Sequence, residues 1–273
     1  MSGVIVRGLR WEVRVRGAGV PLLLLHGFTG RGSGWGTHAT ALARQFRLIV
    51  VDLPGHGRSG IPPGPARASV ERTADDLATI LRREGCAPAH VVGYSLGARV
   101  ALRLAVAHPD AVRRLVLESP SAGLATARER QVRLAAHEER ATRLERDGIE
   151  AFVDEWEREP VFASHTRLPP ARAARLRSER LRNRPAGLAA SLRGAGQGSM
   201  EPLHDRLAEI RTPTLVIAGA LDPIGRARAE GVAAAIPGAR LEIVADAGHA
   251  PHLETPTTFR NLVTAFLKEE TAA

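Results

Sequence analysis

The stretch VVGYSLGAR, residues 91–99, decides the fold. An apolar run halts at a Gly-x-Ser-x-Gly turn, and a helix-forming segment begins beyond it. That strand–turn–helix context is what a nucleophile elbow requires: the tight turn forces strained backbone at Ser95, and glycines at 93 and 97 take no room from neighbouring segments. Outward from this turn the same texture repeats. VPLLLLHG, FRLIVVDLPGHG and AHVVGYS are unbroken apolar runs stopped by glycine, which suits parallel strands covered on both faces. Helices are predicted at about 36–45, 70–84 and 96–107, with a further strand at 113–119. VIVRG and WEVRV read as an opening hairpin.

From about 120 to 204 the texture changes to Arg, Ala, Glu and Leu at helical spacing. Ile149, Phe152, Val153 and Trp156 fall at i, i+3, i+4 and i+7, one face of a helix, and packing is the reading for all but Trp156. After 204 the alternation resumes with TPTLVIAGALD, a helix near 225–235, ARLEIVADAGH and a terminal helix from about 256. The expected architecture is an α/β fold with a mostly parallel central sheet and helices on both faces. Residues 1–119 and 205–273 would form its core, and 120–204 an all-helical cap insertion.

A serine hydroxyl is a weak base and nucleophile unless a histidine, oriented by a carboxylate, lies within hydrogen-bond reach. Asp222 and His249 each follow a predicted late strand, in the order Ser, Asp, His. Glu118, at the end of the strand before the insertion, and His252, close to His249, are the competitors for those roles. LLHGFTG, residues 24–30, can aim the Phe28 backbone N–H at a reacting oxygen beside the Leu96 N–H, forming an oxyanion hole. His26 reads as a brace for that loop, and DLPGHGRSG, with His56, as scaffold.

The net charge of +9 is almost wholly arginine, against one lysine, Lys268. Aromatic residues are only 4%, too few for the stacking surfaces of single-stranded nucleic-acid sites. Most arginines alternate with glutamates, as in HEERATRLERDG, so solvated helix faces are expected rather than a nucleic-acid interface. A few arginines gathered in a pocket for an anionic small molecule fit the same composition. The lone cysteine, Cys86, cannot form an internal disulfide, and no apolar run is long enough to cross a bilayer. A cytoplasmic chain without a membrane span is the expectation. There is no Cys/His spacing for a metal, no phosphate-binding loop and no dinucleotide fingerprint, so no cofactor is anticipated.

With LLHGF, DLPGHGRS, GYSLG, GALDP and AGHAPHLE, the sequence resembles the α/β-hydrolase superfamily. Through HGFTG, GYSLGAR, ESPSAGL, FVDEWEREPVFAS and RSERLRNRPAGLAASLRGAGQG it resembles, within that superfamily, the 2-succinyl-6-hydroxy-2,4-cyclohexadiene-1-carboxylate synthases of menaquinone biosynthesis. The resemblance implies a lyase that eliminates pyruvate from a small polyanionic cyclohexene, without metal or organic cofactor. It further implies Arg99, Arg133 and Arg180 as carboxylate-binding arginines, with Arg177 a rival for the third place, and Tyr94 and Trp156 as pocket residues. Three departures touch substrate fit rather than reaction type: Ala98 where many relatives have a second glycine, GAGQG in place of Gly-x-Gly-Thr-Gly, and Ile224 where relatives often carry lysine. The superfamily at large implies the alternative of a hydrolase cleaving an ester or C–C bond on the same triad.

Overall fold

The computed structural model describes residues 2–269. Eight strands form one sheet: β1 Ser2–Val6, β2 Leu9–Arg16, β3 Pro21–Leu25, β4 Arg47–Asp52, β5 Ala89–Tyr94, β6 Val112–Glu118, β7 Thr214–Gly219 and β8 Arg240–Val244. Their spatial order is β1-β2-β4-β3-β5-β6-β7-β8. The β1–β2 and β2–β4 pairings are antiparallel and all the others parallel. The predicted opening hairpin and mostly parallel sheet are therefore present. Because β3 pairs with both β4 and β5, the winding reverses there. The crevice outside the carboxyl ends of such strands is where open α/β sheets take their ligands.

The apolar runs behave as strands buried on both faces must. Leu23 and Leu25 join one core, beneath the helices Val70–Arg83, Leu96–Ala107 and Pro223–Ala235. Leu22 and Leu24 join the other, beneath Gly36–Leu42 and Pro256–Lys268. At the edge the pattern fails: in β8 Leu241 and Ile243 pack against the core while Arg240 and Glu242, on the other face, are exposed.

Between β6 and β7 the described elements are all helical. The helix Ala127–Trp156 opens with a capping box, Thr126 Oγ1 accepting the Glu129 N–H and Glu129 Oε2 accepting the Thr126 N–H. It breaks at Gly148, whose φ of 84° ends one helical run and starts another. The predicted stripe lies beyond this break: Phe152 and Val153 are buried with Ala141, Leu144, Leu188 and Leu192, while Ile149 and Trp156 pack against them. The arginines of this segment pair with its acids. Arg193 binds Glu138 and Glu145, each at 2.8 Å, and Arg143 binds Glu139 at 2.9 Å. Such exposed pairs contribute at most about 1 kcal/mol each. Among the described residues no helix is long and apolar enough to cross a membrane.

Candidate active site

Ser95 is the hinge between β5 and the helix Leu96–Ala107, and its φ of 50° is left-handed. Its neighbours explain the glycines. A Cβ on Gly97 would run into the Leu25 and His26 carbonyl oxygens, and one on Gly93 into the Gly97 carbonyl and the Ala98 nitrogen. The strained turn is pinned by the Ser95 N–H donating to the Glu118 carbonyl at 2.9 Å.

Asp222 follows β7 and His249 follows β8, and both reach Ser95. Ser95 Oγ lies 3.0 Å from His249 Nε2, and His249 Nδ1–H donates to Asp222 Oδ2 at 2.8 Å. The other oxygen, Asp222 Oδ1, accepts the Gly225 N–H at 2.9 Å and caps the helix Pro223–Ala235. Burial pushes the Asp222 carboxyl up, but His249, the Gly225 amide and Arg228 together hold it below its ordinary value, so it stays ionised. The His249 loop is fixed from both sides: Glu254 accepts the Gly248 N–H at 2.8 Å and the Ala250 N–H at 3.0 Å, and Ser119 Oγ–H donates to the His249 carbonyl at 2.8 Å.

The two competitors are occupied with each other. Buried Glu118 Oε1 accepts from the His252 backbone N–H at 2.8 Å and from His252 Nδ1 at 2.9 Å. Tyr94 separates this pair from the serine, its ring 4.6 Å from that of His252 and 5.5 Å from that of His249. Burial, then Glu118, raises the Tyr94 phenol well above its ordinary value, so it is a neutral wall group. Phe28 and Leu96 flank the serine, and among the described residues neither backbone N–H has a protein acceptor. His26 ties this loop to the sheet: Nδ1–H donates to the Gly27 carbonyl at 2.8 Å and Nε2 accepts the Leu53 N–H at 2.9 Å. Burial keeps it neutral. In the DLPGHGRSG loop, Asp52 accepts the Gly32 and Arg58 N–H groups at 2.7 and 2.8 Å.

Ser95, Asp222 and His249 open onto a cavity of about 500 Å³. Tyr94, Phe28, Arg99, Arg133 and Trp156 line it. Arg99 is 8% exposed, and its Nη1 donates to the Ala195 carbonyl at 2.7 Å; burial lowers the guanidinium to about 10, still charged at neutral pH. Arg133 and Arg228 face the same cavity, and among the described residues neither has a carboxylate within 4.0 Å. Burial, then repulsion from Arg133, lowers the Arg228 guanidinium. Arg140 is held by Glu159 and lies over the Trp156 ring at 5.4 Å. Four guanidinium groups thus line the cavity, against the carboxylates of Asp222 and Glu159.

Arg180 lies elsewhere. It lines a second cavity of about 90 Å³ that shares Phe28, Tyr94 and Phe162 with the first. It stacks over the Phe162 ring at 4.9 Å and donates to Glu157 at 3.0 Å. Packed on Phe162, which lines both cavities, and paired with Glu157, its guanidinium is not among the groups lining the Ser95 cavity. Its rival Arg177 lines neither cavity and is spent on Asp154 at 2.6 Å and Glu157 at 2.8 Å.

Sequence reasoning missed Arg140, His137 and Arg228. The signal for two of them was present, since Arg133, His137 and Arg140 recur at i, i+4 and i+7 on one helix face. Burial and the three neighbouring arginines lower the His137 imidazole to about 4, so it adds no charge at neutral pH. Ile224, 66% exposed, sits at the rim. Among the described residues no group of three or more His, Cys, Asp or Glu side chains is arranged to hold a metal.

Comparison with known proteins agrees with this fold. The family model described as alpha/beta hydrolase fold matches residues 20–256. A Bacillus subtilis protein, named provisionally as a 2-succinyl-6-hydroxy-2,4-cyclohexadiene-1-carboxylate synthase, is 40% identical over 95% of both chains. The enzyme of that name from Pectobacterium atrosepticum is 31% identical over 90% of this chain and 93% of its own. Among solved structures, MenH from S. aureus superposes with a TM-score of 0.89 and 31% identity, covering 94% of this chain and 97% of its own. The chain belongs to the α/β-hydrolase fold family and, within it, to the 2-succinyl-6-hydroxy-2,4-cyclohexadiene-1-carboxylate synthases.

Proposed function

We propose that the chain is an enzyme of menaquinone biosynthesis, a lyase that eliminates pyruvate from 2-succinyl-5-enolpyruvyl-6-hydroxy-3-cyclohexene-1-carboxylate to give 2-succinyl-6-hydroxy-2,4-cyclohexadiene-1-carboxylate. The observation that carries the reading is the pairing of a Ser–His–Asp chain with a cavity lined by Arg99, Arg133, Arg140 and Arg228. A substrate with several carboxylates is matched by several guanidinium groups, whereas a neutral ester would leave them desolvated and unmatched.

In this reading Ser95 is a base and not an acyl acceptor. Ser95 Oγ passes its proton to His249 Nε2 and takes the proton α to the succinyl carbonyl. The electron pair left on carbon enters the carbonyl, whose oxygen is stabilised by the Phe28 and Leu96 N–H groups and by the N-terminus of the helix Leu96–Ala107. Returning electrons shift the ring double bond and break the C–O bond to the enolpyruvyl group, which leaves as the enolate of pyruvate; the proton held on His249 Nε2 passes to it, giving pyruvate and restoring the neutral imidazole. Asp222 holds His249 with its proton on Nδ1, so that Nε2 is free to accept. Arg99 and Arg133 hold the carboxylates and fix the scissile bond. The menaquinone assignment follows the names of the relatives.

The test follows pyruvate and the ultraviolet band of the ring diene together, with the enolpyruvyl substrate generated in situ, for the wild type and Ser95→Ala. Both products from the wild type and neither from the variant support the lyase. Turnover of nitrophenyl esters without pyruvate release would move the function to the hydrolase reading.

A further inference from the structure

The Phe28 N–H sits in a turn whose conformation runs against its sequence. Gly30 N–H donates to the Gly27 carbonyl at 3.0 Å, closing the turn Gly27–Gly30 after β3. Its third residue, Thr29, has a φ of 64°, a left-handed conformation that glycine or asparagine ordinarily fills and that a β-branched side chain resists. Thr29 is buried, so its carbonyl needs a partner within the protein. The partner comes from 154 residues away: Asn183 Nδ2 donates to the Thr29 carbonyl at 2.7 Å.

Asn183 is 4% exposed and follows the helix Pro170–Leu181, its own N–H donating to the Arg180 carbonyl at 3.1 Å. Its amide fits one way only: Nδ2 faces the Thr29 oxygen, and Oδ1 accepts the Gly57 N–H at 3.2 Å. One side chain thus ties the turn after β3 to the DLPGHGRSG loop, and both to the helical segment between β6 and β7. The same seam is closed by Gly55 and Gly187, where a Cβ on either would run into the other's carbonyl oxygen, and by Arg184 Nη2 donating to the Ser59 carbonyl. The Phe28 ring meets that segment too, edge-on to Phe152 and Trp156 at 6.2 and 5.3 Å. The segment therefore grips the turn twice, by the Phe28 ring and by the Thr29 backbone.

We infer that Asn183 is a positioning residue for the oxyanion hole: by holding the Thr29 carbonyl it keeps the turn left-handed and the Phe28 N–H aimed beside Ser95. The inference rests on the oxyanion role proposed above for Phe28. If Thr29 relaxed to negative φ, Phe28 would have to readjust with it, since the Gly30 bond to Gly27 closes over both residues. Oxyanion donors act only when aimed beforehand at the developing charge, so a displaced N–H lowers turnover and leaves ground-state binding in place. The hole is then complete only when the helical segment is seated on the sheet.

The experiment measures pyruvate release by the full chain for wild type, Asn183→Asp, Asn183→Ala and Arg184→Gln, with a melting curve and an amide spectrum of each protein carrying isotope-labelled phenylalanine. Aspartate keeps the size and the acceptor for Gly57 but, ionised, sets an oxygen against the Thr29 carbonyl; alanine removes both bonds and adds no charge. Both should lower kcat by about tenfold or more at nearly constant KM. Arg184→Gln breaks a neighbouring bond of the same seam without touching Thr29, and its kcat should stay within about twofold of wild type. Of the six phenylalanine amide signals, that of Phe28, identified by its loss in Phe28→Leu, should shift in the Asn183 variants and stay in Arg184→Gln. Unchanged kcat in a folded Asn183 variant, a change confined to KM, an unmoved Phe28 signal, or an equal loss in Arg184→Gln would overturn the proposal. A wild type that hydrolyses nitrophenyl esters but releases no pyruvate would refute the lyase alone. Ester turnover draws on the same N–H, and the contrast between Asn183→Asp and Arg184→Gln then decides on that substrate.

Discussion

Asp222→Asn isolates the role of the carboxylate, because the structure fixes how the asparagine must sit. Asp222 Oδ1 accepts the Gly225 N–H and Oδ2 accepts His249 Nδ1–H. Asparagine has one acceptor oxygen, and the Gly225 amide, a helix N-cap contact with no alternative, claims it. The NH₂ group then faces His249 Nδ1, which can only accept, so the imidazole proton moves to Nε2. His249 Nε2–H now points at Ser95 Oγ across 3.0 Å and cannot take its proton. A wrong tautomer in an otherwise intact triad lowers turnover by about 10⁴-fold, or about 5 kcal/mol of transition-state stabilisation. Asparagine caps helices as well as aspartate, so melting should shift little. The assay is single-turnover pyruvate release with a parallel melting curve. A loss smaller than tenfold in a folded variant would refute the claim that Asp222 sets the tautomer.

Arg99→Met keeps an apolar stem in a buried position and removes the charge, so it should raise KM by about tenfold or more in steady-state kinetics; unchanged kinetics would remove Arg99 from the substrate site. Glu254→Gln leaves one acceptor for two amides, Gly248 and Ala250, and should lower kcat several-fold at constant KM, while a change confined to KM would contradict a positioning role. Acid should destabilise the fold in a defined window. Burial holds His56 at about 3 and His38 and His90 at about 4, against an ordinary 6.5. Between those values the unfolded chain binds protons that the native state does not, so stability is full above about pH 6.5 and falls as pH drops through the window. Urea melts at pH 7 and pH 5 should differ by at least about 2 kcal/mol, and equal midpoints would refute it.

How much of this could be read beforehand depended on the range of the physics involved. Strands β3 to β7 announced themselves because burial on both faces demands unbroken apolar runs, and the elbow because Gly93, Ser95 and Gly97 answer to local sterics. Helix starts at Val70, Leu96 and Pro256 followed from local signals in the same way. What the sequence concealed was long-range. Arg177 and Arg180 look equivalent in RSERLRN, and only packing against Phe162 buries one and leaves the other on Asp154. Arg228 belongs to a helix far along the chain from Arg133, and nothing local says that they face one cavity. The second cavity is assembled from Arg31, Trp35, His165 and Arg180, residues that no motif links.

The central claim is that Ser95 moves a proton and never accepts an acyl group. The most direct measurement is a single turnover of substrate deuterated α to the succinyl carbonyl, quenched in time, with pyruvate quantified and the intact protein weighed at each point. The account predicts slower pyruvate release from the deuterated substrate and a protein mass that never changes. A transient mass increase located on Ser95, with no isotope effect on pyruvate release, would contradict it.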